Sequence, residues 1–263
     1  MTASSLQIDT AEQSGLHRQP TNAAADTVVR LSLVFPIFDE ERNIEPLLRT
    51  ALETASRLTP DFEIILVDDG SRDRSAEMAS RFCEQDARVR LLQHARNTGY
   101  GAALHSGLRE AKGELIFFSD ADLQFDLSEL EGLVEHADEY DIVAGYRAQR
   151  SDPWHRRLLA GTWGAIVRSV FSLEVRDIDC AFKLFRRQVI DTIEIESIGA
   201  FVNTEILVRA SAAGYRIHQV PVTHHARQHG DQSGAKPRVI LRALIELATL
   251  YRTLYRARRN GVQ

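Results

Sequence analysis

Leu115-Ile-Phe-Phe-Ser-Asp-Ala-Asp-Leu-Gln124 runs four apolar residues straight into a polar turn that carries two aspartates. Consecutive large apolar side chains suit a strand covered on both faces, which is how the strands of a parallel sheet read. The same grammar repeats toward the N-terminus. Leu31-Ser-Leu-Val-Phe35 predicts a strand stopped by Pro36, and Glu63-Ile-Ile-Leu-Val67 predicts a second that ends in Asp68-Asp69-Gly70-Ser71. Arg88 to Gln93 predicts a third. Between them Ile44, Leu47, Leu48, Ala51, Leu52 and Ala55 recur at helical spacing, and Gly101 to Lys112 reads as another helix. Asp126 with Glu129 predicts a capping box for the helix that follows. Strand–helix alternation of this kind defines an α/β fold, a mostly parallel sheet with helices on both faces.

In open parallel sheets the ligand site lies beyond the carboxyl ends of the strands. Three strands end here in acidic sequence, at Pro36-Ile-Phe-Asp-Glu40, at Asp68-Asp69 and at Asp120-Ala-Asp122. Any one of these alone is an ordinary solvated turn. Together they bring carboxylates to one rim, where they repel unless a cation or a donor-rich ligand is present. Either a divalent metal or a base and sugar meets that need.

With 263 residues, 44% hydrophobic and 26% charged, the chain fits one globular core with appendages and excludes wholesale disorder, a collagen-like repeat or a disulfide scaffold. Cys83 and Cys180 form no framework and no Cys-x-x-Cys spacing, which points to a reducing compartment. The net charge of −5 speaks against a nucleic-acid binder. The longest apolar run, Leu158 to Val167, is about half of the roughly 20 residues a spanning helix needs, so no transmembrane segment is expected. Residues 1–27 lack a secretory pattern and read as a flexible tail, with the cytoplasm as the expected address.

The charge is unevenly spread. Residues 236–263 hold seven basic residues against the single acid Glu246. Arg242, Glu246, Thr249, Thr253 and Arg256 recur at helical spacing, with Ile240, Leu244, Leu247, Tyr251 and Leu254 on the other side. The segment reads as a basic amphipathic helix. Its apolar side either lies in a membrane interface among anionic headgroups or packs on the protein's own core or a twin subunit.

Phe35-Pro-Ile-Phe-Asp-Glu-Glu41, Val67-Asp-Asp-Gly-Ser71, Asn97-x-Gly99-x-Gly101 and Asp120-Ala-Asp-Leu-Gln124 resemble the family 2 glycosyltransferases of GT-A, Rossmann-like fold, and among them the dolichyl- or polyprenyl-phosphate sugar synthases. The resemblance runs from about Val28 to Arg238 and implies a GT-A domain over 28–235. It implies that Pro36, Phe38, Glu40 and Gly101 line a nucleotide-sugar pocket, and that Asp68 and Asp69 accept hydrogen bonds from base and ribose. Asp120 and Asp122 correspond to the metal motif, for Mg²⁺ or Mn²⁺, with Gln124 beside them. Gly145-Tyr-Arg147 and Trp154-His-Arg-Arg157 resemble the arginines that hold phosphate oxygens, so Arg147 and Arg157 join Asp122 as candidate catalytic residues. For Arg156 and Arg157, a solvated helix face remains the competing reading. Asp179, in Asp177-Ile-Asp179-Cys-Ala-Phe-Lys183, corresponds to an acidic residue near the acceptor and is a fourth candidate catalytic residue, to orient the acceptor or act as a base. Arg227, Ser233 and Lys236 are the phosphate contacts of a loop whose spacing departs from the family's Arg-x-x-Gly-x-Ser-Lys. Glu205 opens a helix that the family also carries, a common place for an acid with no catalytic duty.

The activity implied is inverting transfer of a hexose from a UDP-glucose or GDP-mannose type donor to a polyprenyl phosphate. An acceptor of that kind is already anionic and needs positioning more than deprotonation. A soluble acceptor, or a non-catalytic nucleotide-sugar-binding protein, are the alternatives. Oligomerisation, the base and the sugar stay open.

Overall fold

A computed structural model describes residues 30–149, 154–227 and 237–259 of the chain. The expected tail, residues 1–27, lies outside them, as do Ser233 and Lys236.

The strands are β1 (Leu31–Ile37), β2 (Phe62–Asp68), β3 (Val89–Gln93), β4 (Leu115–Ser119), β5 (Ile142–Gln149), β6 (Phe182–Arg186) and β7 (Ile217–Thr223). They form one sheet in the order β3-β2-β1-β4-β6-β5-β7. β6 runs antiparallel to both neighbours, and every other pairing is parallel. The helices are α1 (Glu41–Leu58), α2 (Ser75–Gln85), α3 (Tyr100–Glu110), α4 (Leu130–Val134), α5 (Trp154–Phe171), α6 (Arg187–Thr192), α7 (Val202–Ala212) and α8 (Pro237–Arg259).

β1 shows why the sheet is closed in on both sides. Leu31, Leu33, Phe35 and Ile37 pack with Ile44, Leu47 and Leu48 of α1 on one face. Val34 turns to the other face, where Ala103, Leu104 and Leu108 of α3 and Ile206 and Leu207 of α7 meet it. Each such side chain contributes about 1.5–3 kcal/mol by leaving water.

Pro36 does not stop β1, as the sequence suggests, but lies buried inside it, opposite Val67. Pairing to β4 ends two residues earlier, at Val34 against Phe118, where a residue without an N–H fits. The capping box is half realised. Asp126 accepts from the Ser128 N–H at 2.9 Å, but Glu129 turns away and binds Thr223 at the end of β7, through the backbone N–H at 2.8 Å and the hydroxyl at 2.6 Å.

α8 carries two apolar stripes. Ala243, Leu247, Leu250 and Leu254 pack on the core, and Leu250 is fully buried. Leu241, Leu244, Ile245, Tyr251 and Tyr255 are exposed, Leu241 at 61% and Ile245 at 59%. Tyr251 meets Phe171 of α5 edge-on. Among the described residues, no helix is long and apolar enough to cross a membrane.

Candidate active site

The topology brings the carboxyl ends of β1, β2, β4, β5 and β7, and the amino end of β6, to one rim. The loops after β1 and β2 are stitched together there by hydrogen bonds. Asp39, held at a left-handed φ of 56°, accepts from the Arg72 N–H at 2.7 Å, and the Glu40 N–H donates to the Ser75 hydroxyl at 2.8 Å. The segment after β4 is tied to the segment after β7: the Gln124 side chain donates to the His225 carbonyl at 2.9 Å and the His225 N–H returns to the Gln124 carbonyl at 2.8 Å. That clasp carries Arg227 over the acidic strand ends.

There Arg227 bonds Glu40 and stands 3.6 Å from Asp122. Glu40 also accepts from Asn43. Burial raises the Glu40 carboxyl above its ordinary value, and Arg227 pulls it back. Asp122, 7% exposed, accepts from the Gln124 N–H at 3.1 Å; burial raises it as well. Asp120 accepts the Tyr100 hydroxyl at 2.7 Å and is pushed up to about 7, first by burial and then by the charge of Asp122. Two desolvated carboxylates in mutual repulsion, with an arginine as counter-charge, are a donor set of hard oxygens that suits Mg²⁺ or Mn²⁺. Among the described residues no three His, Cys, Asp or Glu side chains are grouped to hold a metal.

Several expected ligand contacts are used within the protein instead. Asp69 accepts from the Thr98 N–H (2.8 Å), the Thr98 hydroxyl (2.7 Å), the Gly99 N–H (2.7 Å) and His94 Nδ1 (2.8 Å). Asp69 anchors the 94–99 loop chiefly through Oδ1, while Oδ2 accepts, among the described residues, only from the Gly99 N–H. Burial raises its carboxyl, but those bonds outweigh it and hold it below its ordinary value. Asp68, buried beside it, accepts from the Ser71 N–H at 3.0 Å. Gly101 is likewise engaged within the protein. Its N–H reaches the Ile198 carbonyl, and a Cβ there would stand 2.4 Å from the Ser197 carbonyl oxygen, so the glycine serves the close approach of α3 to the 197–199 loop. Phe38 is exposed at the rim, whereas Pro36 is sealed in β1.

Asp69→Ala is expected to cost about 3 kcal/mol at pH 7, since it strands several donors. The depressed carboxyl contributes stability that is present above the unfolded value near 3.8 and lost as pH falls through its folded value. In urea titrations the gap between variant and wild type should therefore narrow below about pH 4.

On the acceptor side, Arg147 is gripped bidentately by Asp177, at 2.6 and 2.8 Å. The pair is nearly buried and holds the end of β5 to the segment before β6. Asp179 lies in that same segment, between Ile178 and Cys180. Arg157 falls within α5, with its side chain outside the described residues. Glu205 has no part in the carboxylate cluster: it accepts the N–H groups of Glu196 (3.1 Å) and Ser197 (2.7 Å) and pairs with Arg209 at 2.8 Å, which shapes the 196–199 loop. Sequence reasoning missed Tyr100, Lys183 and Asn203, which lie directly beneath the rim. A lysine inside the apolar run Ala181-Phe-Lys-Leu-Phe185 was the available signal.

A mostly parallel sheet with one reversed strand is the GT-A-type architecture. The chain belongs to Glycosyl transferase family 2, whose model matches residues 32–194. It is 34% identical over 217 residues to Glycosyltransferase AglD of Haloferax volcanii, covering 78% of this chain and 34% of that protein. It is 33% identical over 228 residues to the undecaprenyl-phosphate 4-deoxy-4-formamido-L-arabinose transferase of Pseudomonas aeruginosa, covering 85% of this chain and 65% of that one. The chain thus spans between about a third and two thirds of the length of these relatives. A solved structure of glucosyl-3-phosphoglycerate synthase from Mycobacterium tuberculosis, in complex with Mn²⁺, UDP and glucosyl-3-phosphoglycerate, shares the fold at a TM-score of 0.59 and 19% identity, covering 95% of this chain and 88% of the other.

Proposed function

We propose that the chain transfers a hexose from a nucleoside diphosphate sugar to a polyprenyl phosphate at a membrane surface, with inversion at the anomeric carbon. The observation that carries this is the cluster Asp120–Asp122–Glu40 with Arg227 above it, at the carboxyl rim of a family 2 sheet. The P. aeruginosa relative, which acts on undecaprenyl phosphate by name, supports the acceptor class.

The Mn²⁺ and UDP in the solved M. tuberculosis structure support a divalent cation beside a nucleoside diphosphate. Asp120 and Asp122 would hold it. When bound, it supplies Lewis-acid neutralisation of the charge that gathers on the departing diphosphate. The protein's own residues do the rest. Arg227 re-pairs from Glu40 and Asp122 to diphosphate oxygens, which its planar fork fits. Phe38 and the β1 and β2 loops border the nucleotide. Asp179 orients the acceptor, and Arg157, Ser233 and Lys236 are further phosphate contacts. A phosphate oxygen of the lipid attacks the anomeric carbon as its bond to the nucleoside diphosphate breaks, and the electron pair leaves with the diphosphate. No general base is required, because the nucleophile is already an anion. Incubation with labelled UDP- and GDP-sugars, Mn²⁺ and polyprenyl phosphate should yield label extractable into organic solvent. Label that follows only water-soluble acceptors would favour the soluble-acceptor reading.

The exposed stripe Leu241, Leu244, Ile245, Tyr251 and Tyr255 supports docking on an anionic lipid surface, since arginines flank it and each basic residue near such a surface contributes about 1 kcal/mol. Gly199, in the loop that α3 meets, packs against Arg242, so the stripe adjoins the rim. The full chain should sediment with anionic liposomes at low salt. Leu241→Glu with Ile245→Glu, which leaves the core-facing stripe intact, should abolish that. Equal sedimentation of both would exclude the stripe as the docking face.

A further inference from the structure

Lys183 lies at the centre of the sheet, on β6 between Phe118 of β4 and Ala144 of β5. None of it is exposed. Its ammonium donates to the Ile178 carbonyl at 3.1 Å, to the Cys180 carbonyl and to Asn203 Oδ1 at 2.9 Å, which uses all three N–H groups. It also stands 5.5 Å from the Phe118 ring centroid. Taking a cation out of water is costly, and an apolar residue of the same volume is usually at least as stabilising in such a place. Packing alone does not account for the choice of a lysine.

The partners show what the charge holds. Ile178 and Cys180 flank Asp179, so the ammonium gathers the backbone on both sides of that residue into one turn. Asn203 is the other branch. It stands in the first turn of α7, so the ammonium ties the Asp179 turn to that helix. One buried cation thus connects the segment bearing Asp179 with α7, from beneath the rim and without touching it.

We propose that Lys183 is a positioning residue that fixes the Asp179 turn against α7, so that the acceptor end of the site is set by one buried ammonium. The assignment rests on the transferase reading for what Asp179 does, but not for the geometry.

Hydrogen exchange of the full chain tests the geometry without any substrate. Lys183→Met should raise exchange across 177–181 at least tenfold, while β1 and β2 keep their protection. Unchanged exchange there overturns the proposal, whatever the acceptor proves to be. The functional arm uses whichever labelled donor the wild type consumes. Lys183→Met should lower kcat about 100-fold and shift donor KM by less than about threefold. Wild-type kcat in a folded variant would overturn it. If Lys183→Met does not fold, Asn203→Leu decides, because it keeps the ammonium and both carbonyls. A folded Asn203→Leu with raised exchange at 177–181 and a lowered kcat supports the tie to α7, and one indistinguishable from wild type refutes it.

Discussion

Asp122→Asn is expected to lower sugar transfer by about 10²–10³-fold, the usual loss when a group facing the developing charge is removed. The fold should survive, because the asparagine keeps a side-chain oxygen for the Gln124 N–H and the position lies at the rim. Asparagine is a neutral and weaker ligand for a hard cation, so Mn²⁺-dependent binding of UDP or GDP should be lost in calorimetry as well. EDTA should silence the wild type, and Mg²⁺ or Mn²⁺ should restore it. Full activity in EDTA would mean that Asp122 is a turn residue and that Arg227 alone answers the leaving group.

Arg227→Ala is the second large effect, about 100-fold in kcat, with a higher donor KM. Two consequences combine. The diphosphate loses its bidentate partner, and Glu40 and Asp122 lose the cation that offsets their burial. Arg227→Lys should recover only part of the loss, since an ammonium restores charge but not the planar fork. Steady-state kinetics of both variants measure it. Equal rates in Arg227→Ala and wild type would remove Arg227 from the site.

Much of this site was legible because it follows from strand ends. Apolar runs that break into acid mark the carboxyl rim of a parallel sheet, so Glu40, Asp68, Asp120 and Asp122 could be assigned to one place before any coordinates. What stayed hidden depends on contacts distant in sequence. β6 inserts antiparallel between β4 and β5, and nothing in Phe182–Arg186 announces its direction. Asp69 reads as a ligand residue, and the sequence gives no sign that it also anchors Thr98, Gly99 and His94 roughly thirty positions on. Arg147 reads as a phosphate clamp, and its partner Asp177 arrives from the far side of α5. In α8 the apolar positions are too many for one face. Periodicity shows that excess, but only the fold says that Leu250 belongs to the core and Leu241 to solvent.

The most direct test of the central proposal sets two lipids side by side: polyprenyl phosphate, and the same polyprenol without its phosphate, each with labelled donor, Mn²⁺ and the full chain. The expected result is label in the organic phase with the phosphate alone, because an anionic oxygen is the nucleophile and the site lacks need of a base. Equal labelling of the alcohol, or label that partitions only into water with a soluble acceptor, would contradict it.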